Sequence, residues 1–226
     1  MSSSGNTAFA RRGILMAGMG LSMALVLPAC ATAGAGGASQ PDPLRRLMTL
    51  ATQNAFAKLT APDGFWTSPV ARIELPVLFN KNTGALAQPD FRESLKHKLN
   101  TFAEVGARAA ASPVADAIRA IPGAQSRALL RGEPTAGTSY LRQQMGPAVV
   151  NAMIPALEAA IRTAGDPVVT QATALLSGVT LMDVAHALAL AADNALWYQV
   201  GMAEGDIRTN PAATNDPGLI RALRRR

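Results

Sequence analysis

From Pro41 onward, apolar positions recur at three- and four-residue spacing. Leu44, Leu47, Met48, Ala51, Ala55 and Leu59 line one face of an amphipathic helix. Pro62-Asp63-Gly64 stops it. Two prolines interrupt residues 65–80, which read as an ordered connector with a short helix after Pro76. Asp90, followed by Glu93, predicts a capping box. Phe91, Leu95, Leu99, Phe102 and Val105 carry the buried stripe to about Ala111. Ser112-Pro113 predicts a restart, since proline is tolerated in a first helical turn. Short helices are then expected near 113–121 and 124–131, and another from Pro134 to Met145. Residues 147–163 predict a longer helix with Pro155 inside it, where a kink is expected. Gly165-Asp166-Pro167 breaks the pattern, and 168–177 forms another helix.

Thr180 with Asp183 has the spacing of a further cap. It opens a long helix from Leu181 to about Arg208, very apolar as far as Val200 and expected to be the central buried helix. Asn210-Pro211 ends it, and Leu219, Ile220 and Leu223 form a last short amphipathic turn. No segment sustains a period of two. The class is therefore all-α, one multi-helix domain over residues 42–226.

Composition supports that reading. Hydrophobic residues make up 49% but aromatics only 4%, so the core must be built from Ala, Leu, Val, Ile and Met. Alanine and leucine are the best helix formers. Lys and Arg number 21 against 15 acidic residues, a net charge of +6. Arg221, Arg224, Arg225 and Arg226 cluster at the end of the chain, where a basic tail meets solvent or anionic lipid head groups.

The N-terminal pattern differs. Arg11 and Arg12 precede an apolar run from Gly13 to Leu27, 15 residues long. A spanning helix needs about 20. A charged start, a short apolar stretch and small residues after it make residues 1–29 a cleavable export signal. Ala10-Arg11-Arg12-Gly13-Ile14-Leu15 resembles a bacterial twin-arginine signal, the general secretory route being the alternative. Leu27-Pro28-Ala29-Cys30 resembles a bacterial lipobox, which implies acylation of Cys30 and cleavage before it. Cys30 is the only cysteine, so no internal disulfide forms. Residues 31–40 are rich in Gly, Ala and Ser and read as a flexible tether. The expected location is the periplasmic side of the bacterial envelope, anchored to the membrane by lipidated Cys30. Cleavage at Ala31-Thr32-Ala33, giving a soluble periplasmic protein, is the alternative.

Three blocks in the helical region resemble domain-of-unknown-function family 4197. The first is Pro62-Asp63-Gly64-Phe65 with Ser68-Pro69-Val70-Ala71-Arg72-Ile73-Glu74-Leu75-Pro76, in which Ser68 stands in place of the usual Asn and Glu74 in place of Pro. The second is Leu130-Arg131-Gly132 with Thr135 to Arg142. The third is Ile207-Arg208-Thr209-Asn210-Pro211-Ala212-Ala213 with Leu219 to Leu223. The resemblance spans about residues 44–224. It implies an exported helical protein and assigns no catalytic residue.

Candidate chemistry is sparse. The two histidines are His97 and His186. Asp183 and His186 lie three apart on one helix, but a single pair does not fill a metal shell, so Asp183 reads as a cap and no metal is expected. There is no Gly-x-Ser-x-Gly elbow, Walker loop, His-Glu-x-x-His or Rossmann glycine pattern, and no cofactor is expected. Asp63, Arg72, Arg127, Tyr140, Arg142 and Arg208 are polar residues embedded in small, apolar stretches. Such residues either form ion pairs and caps that fix irregular loops or line a pocket for an anion or lipid head group. The expected function is a non-enzymatic binding or interaction module of the envelope, with a lipid or envelope protein as partner. An enzyme of hydrolase type, with a site between helices, is the alternative. Export argues against nucleic acid.

Overall fold

The computed structural model describes residues 42–224, so Arg11, Arg12, Cys30 and the last two arginines lie outside the described residues. Among the described residues there are eight α-helices and no strand. They are α1 (Pro43–Leu59), α2 (Pro89–Ala120), α3 (Gly123–Arg131), α4 (Ala136–Met145), α5 (Ala148–Ala164), α6 (Pro167–Ala174), α7 (Leu181–Thr209) and α8 (Pro217–Arg224). Three 3-10 turns, Val77–Phe79, Gly84–Ala87 and Pro211–Thr214, lie in the connections.

Local chemistry sets the helix ends. Asp42 caps α1, its carboxylate accepting the backbone N–H of Leu44 at 2.9 Å, with Pro43 at the first helical position. After α1, Asp63 takes a left-handed conformation with φ of 57°. A Cβ on the next residue, Gly64, would lie 2.7 Å from the carbonyl oxygen of Leu59, so the turn closes this tightly only with glycine. At α7, Thr180 and Asp183 form the expected box, Asp183 Oδ2 accepting the Thr180 N–H at 2.8 Å.

Two expectations are corrected. Asp90 does not cap α2: the helix begins at Pro89, Gln88 is the cap residue, and no side chain caps the end. Proline has no N–H to leave unsatisfied in a first turn, so the helix starts ahead of Asp90. Glu93 instead pairs with Lys96 at 2.8 Å. Nor does the chain break at Ser112-Pro113, because α2 runs unbroken through Pro113. Ala107, Ala110, Val114 and Ile118 are all buried and continue one stripe across the proline. Tertiary packing of that stripe outweighs the lost backbone hydrogen bond. Helix α5 is likewise continuous through Pro155.

Four helices form a ring around the core. Helix α2 packs on α5, α5 on α7, α7 on α1 and α1 on α2, with a further contact of α2 on α7. Helix α7 also touches α4. It buries Val184, Leu188, Leu196, Trp197, Val200 and Ile207, as its apolar run predicts. Its outer edge carries an exposed row at four-residue spacing that includes Met182, Leu190, Tyr198 and Met202. No described helix is long and apolar enough to cross a membrane.

Candidate functional site

Asp63 and Arg72 of the first block are joined through two stacked rings, Asp63 on His97 and Arg72 on Trp66. The Arg72 guanidinium lies 4.4 Å from the ring centre of Trp66, and its Nε donates to the Trp66 carbonyl at 2.6 Å. Asp63 Oδ1 is 2.9 Å from His97 Nε2, and the His97 ring stacks at a tilt on Trp66, centroids 4.6 Å apart. Lys96 approaches the same indole. Beneath this surface, Asn100 is fully buried and locks the connector to α2, taking the Ile73 N–H and donating to the Ile73 carbonyl, each at 2.8 Å. The patch is a clasp that holds the irregular 65–80 segment against α2.

Arg208 serves a second clasp. It is buried, as is Glu204 one turn earlier, and its Nη2 is 2.6 Å from Glu204 Oε1. Its other donors reach the carbonyls of Leu130 at 2.7 Å and Leu129 at 3.0 Å. Glu204 in turn accepts the backbone N–H groups of Gly137 and Thr138 at 3.0 and 2.7 Å. All charged groups here are satisfied within the protein, so the pair offers no open site. Arg142 reaches from α4 to Asn194 and lies 3.8 Å from Asp193. Tyr140 is half-buried against the core, and Arg127 is exposed on α3. Asp183 is engaged with Thr180, and His186 is exposed. Among the described residues, no group of three or more His, Cys, Asp or Glu could hold a metal ion.

The model of the family described as "Protein of unknown function (DUF4197)" matches residues 37–222. The chain belongs to this DUF4197 family. No curated protein and no solved structure matches it.

The three sequence blocks named above coincide with the two clasps. The first block supplies Asp63, Gly64 and Arg72, and Trp66 lies between its two parts. Within the block Ser68 is buried, and its Oγ accepts the Ala71 N–H at 3.1 Å. The short polar side chain closes that turn. The second and third blocks meet at Glu204 and Arg208, with Thr138 and Gly137 on one side and Leu130 on the other.

A wide groove lies elsewhere, about 970 Å³ between α1 and the C-terminal half of α2. Leu50 and Phe56 on α1 face Ala111, Ala115 and Ile118 on α2. The alanines leave room that larger side chains would fill. Arg45, Arg46 and Arg119 stand at the same groove with one lining carboxylate, Asp216, and Arg119 pairs with Asp116 on its own helix. Arg45 Nη2 donates to the carbonyl of Ile121 at 2.6 Å, while its Nε is buried without a hydrogen-bond partner. Arg46 pairs with Asp216, which caps α8 by accepting the Leu219 N–H at 2.9 Å. Burial works against ionised Asp216, but the Leu219 N–H and Arg46 outweigh it and hold its carboxyl below the usual range.

None of the six residues singled out from the sequence lines this groove; Arg142 lines a smaller one between α4 and α7. One sequence signal could have found the larger groove. Arg45 and Arg46 sit in the first turns of α1, where positive charge opposes the helix dipole. Leu50 and Phe56 fall off the buried stripe of the same helix.

Proposed function

We propose that this protein is a non-enzymatic binding module of the bacterial envelope, taking an amphiphile with an anionic head in the α1/α2 groove. The observation that carries this reading is the groove's pairing of an apolar lining with three arginines. An acyl or similarly apolar tail would lie along Leu50, Phe56, Ala111, Ala115 and Ile118, removing their surface from water. A phosphate or carboxylate head would meet the guanidinium groups of Arg45, Arg46 and Arg119, the side chain best suited to bidentate recognition of such groups. The volume is at the upper end of the range for small-molecule sites. In the same reading, Arg11 and Arg12 belong to an export signal. Acylated Cys30 then holds the domain on the periplasmic face of the membrane, within reach of lipid.

Native intact-mass analysis of the protein, extracted from membranes with its lipid shell, tests both parts. The expected spectrum shows acyl additions at Cys30 and a co-extracted anionic lipid. Ala115→Trp, which fills the groove, should abolish the bound lipid and leave the acyl additions. A lipid-free wild type, or a variant that retains lipid equally, would overturn the groove assignment. An unmodified Cys30 would overturn the anchor and leave the groove untouched.

A further inference from the structure

The surplus positive charge of the domain sits at one end of it. Three segments meet there: the start of α1, the junction of α2 with α3, and α8. Arg45 Nη2 donates to the Ile121 carbonyl at 2.6 Å, Ser126 Oγ donates to Asp42, and Arg46 pairs with Asp216. Within residues 42–49, 111–127 and 215–224, Arg45, Arg46, Arg119, Arg127, Arg221 and Arg224 face three aspartates, with no Lys or Glu. Each aspartate is engaged. Asp42 caps α1, Asp116 pairs with Arg119, and Asp216 caps α8 and pairs with Arg46. Arg45, Arg127, Arg221 and Arg224 form no ion pair among the described residues, and the last three are exposed. The other described residues come close to neutral, with eleven Lys and Arg against twelve Asp and Glu.

We infer that this end of the domain is a docking face for an anionic membrane surface and sets how the domain sits on the bilayer. Guanidinium groups bind phosphate oxygens through paired N–H donors. Basic side chains beside an anionic leaflet are drawn in by its surface potential. That attraction fades within about 10 Å at ordinary ionic strength, so arginines gathered on one end act together and distant charges do not. Arg225 and Arg226 follow in the sequence and add to the same sign. The chain also enters the domain here, at Asp42, twelve residues after Cys30. In the anchored form proposed above, such a stretch spans at most about 40 Å, so the anchor brings this end toward the bilayer. Only that support rests on the anchor; the charge asymmetry stands without it.

The purified full chain would be sedimented with vesicles of phosphatidylcholine alone and of phosphatidylcholine mixed with anionic phosphatidylglycerol. An acyl anchor binds both, so the readout is the ratio between them. The wild type should prefer the anionic vesicles, and the preference should fall as salt rises. Arg221→Gln combined with Arg224→Gln should cut it about 25-fold, each arginine near such a surface being worth about fivefold. Lys58→Gln combined with Lys81→Gln removes the same charge from exposed positions elsewhere and should change it little. Lys58 lies about 20 Å along α1 from Arg45, beyond the screening distance. Equal binding to the two vesicles, or an equal loss in the two double variants, overturns the proposal. A preference abolished by Ala115→Trp alone belongs to the α1/α2 groove and overturns it too. Binding to a DNA duplex with no preference for anionic vesicles would assign the face to nucleic acid instead.

Discussion

Glu204 and Arg208, one turn apart on α7, together cap two other helices. Helix α4 has no side-chain cap of its own. Glu204 supplies one from α7, accepting the N–H groups of Gly137 and Thr138 in its first turn and the Thr138 hydroxyl at 2.7 Å. Arg208 takes the carbonyls of Leu129 and Leu130 in the last turn of α3. Negative charge meets the positive end of one helix dipole and positive charge the negative end of another. Close approach is required as well: a Cβ on Gly137 would come within 3.0 Å of Glu204 Oε1 and would clash with the Met48 sulfur.

Breaking this pair should therefore be severe. Glu204→Leu or Arg208→Met leaves the other charge buried, at a cost of about 3–5 kcal/mol. The double variant should lose clearly less than the sum, because no unpaired charge then remains. Urea denaturation of the three variants measures the coupling. Additive losses would show that the two side chains act separately.

Gly64 makes a sharper steric case. The atoms its Cβ would meet are the backbone oxygens of Lys58 and Leu59, and no rotamer change moves them aside. Gly64→Ala should cost about 1–3 kcal/mol, as overpacking does, by opening the turn that seats Trp66 over His97. A thermal scan reads the loss. Altered Trp66 fluorescence would place the damage in the first clasp, and an unchanged spectrum with full stability would refute it.

Much of this architecture was legible in the sequence, and the gaps have physical causes. The α1 stripe, the Thr180–Asp183 cap and the buried length of α7 follow from periodicity and capping chemistry, which act locally. Arg208 is legible as a charge in an apolar stretch, and four-residue spacing puts Glu204 on the same helix face, but the backbone groups of α3 and α4 that bury the pair are distant in sequence. Asp63 and Arg72 are legible as polar residues in the first block, whereas the Trp66–His97 contact that completes their setting joins a loop to α2 and has no local signal. The larger groove was hidden for another reason. It consists of what Ala111 and Ala115 do not fill opposite Leu50 and Phe56, and absent volume leaves no pattern in α2, so only the off-stripe Leu50 and Phe56 of α1 mark it in the sequence.

Glu104 should give stability an unusual pH dependence. It is 5% exposed, its Oε1 has no hydrogen-bond partner, and Arg108 lies 3.7 Å from its Oε2. Burial pushes its carboxyl above the usual range, against Arg108 and the backbone N–H groups of Asp63 and Gly64. The folded state thus holds this proton more tightly than the unfolded chain. The resulting penalty is absent in acid, grows as pH rises through the ordinary glutamate range, and is complete above the raised value. Relative to wild type, Glu104→Gln should gain stability at neutral pH, and the gain should vanish toward acid. Urea midpoints across that pH range test it. A difference of opposite sign would mean that the Arg108 pair outweighs burial.

Pro113 offers a stabilising change. It sits in the interior of α2, where its ring removes one backbone hydrogen bond, the one that would end on the Ala109 carbonyl. In a helix interior proline is about 3 kcal/mol less favourable than alanine. Part of that gain returns to the unfolded chain, because proline restricts it by about 0.4–1 kcal/mol. Pro113 is also half-buried, so some ring packing is lost. Pro113→Ala should then raise stability by about 1–2 kcal/mol. The new amide at position 113 should be protected from hydrogen exchange as strongly as its neighbours in α2. A destabilised variant with that amide unprotected would show that α2 is shaped around the proline, and that packing of its ring, rather than the continuing stripe of Ala107, Ala110, Val114 and Ile118, carries the helix through this point.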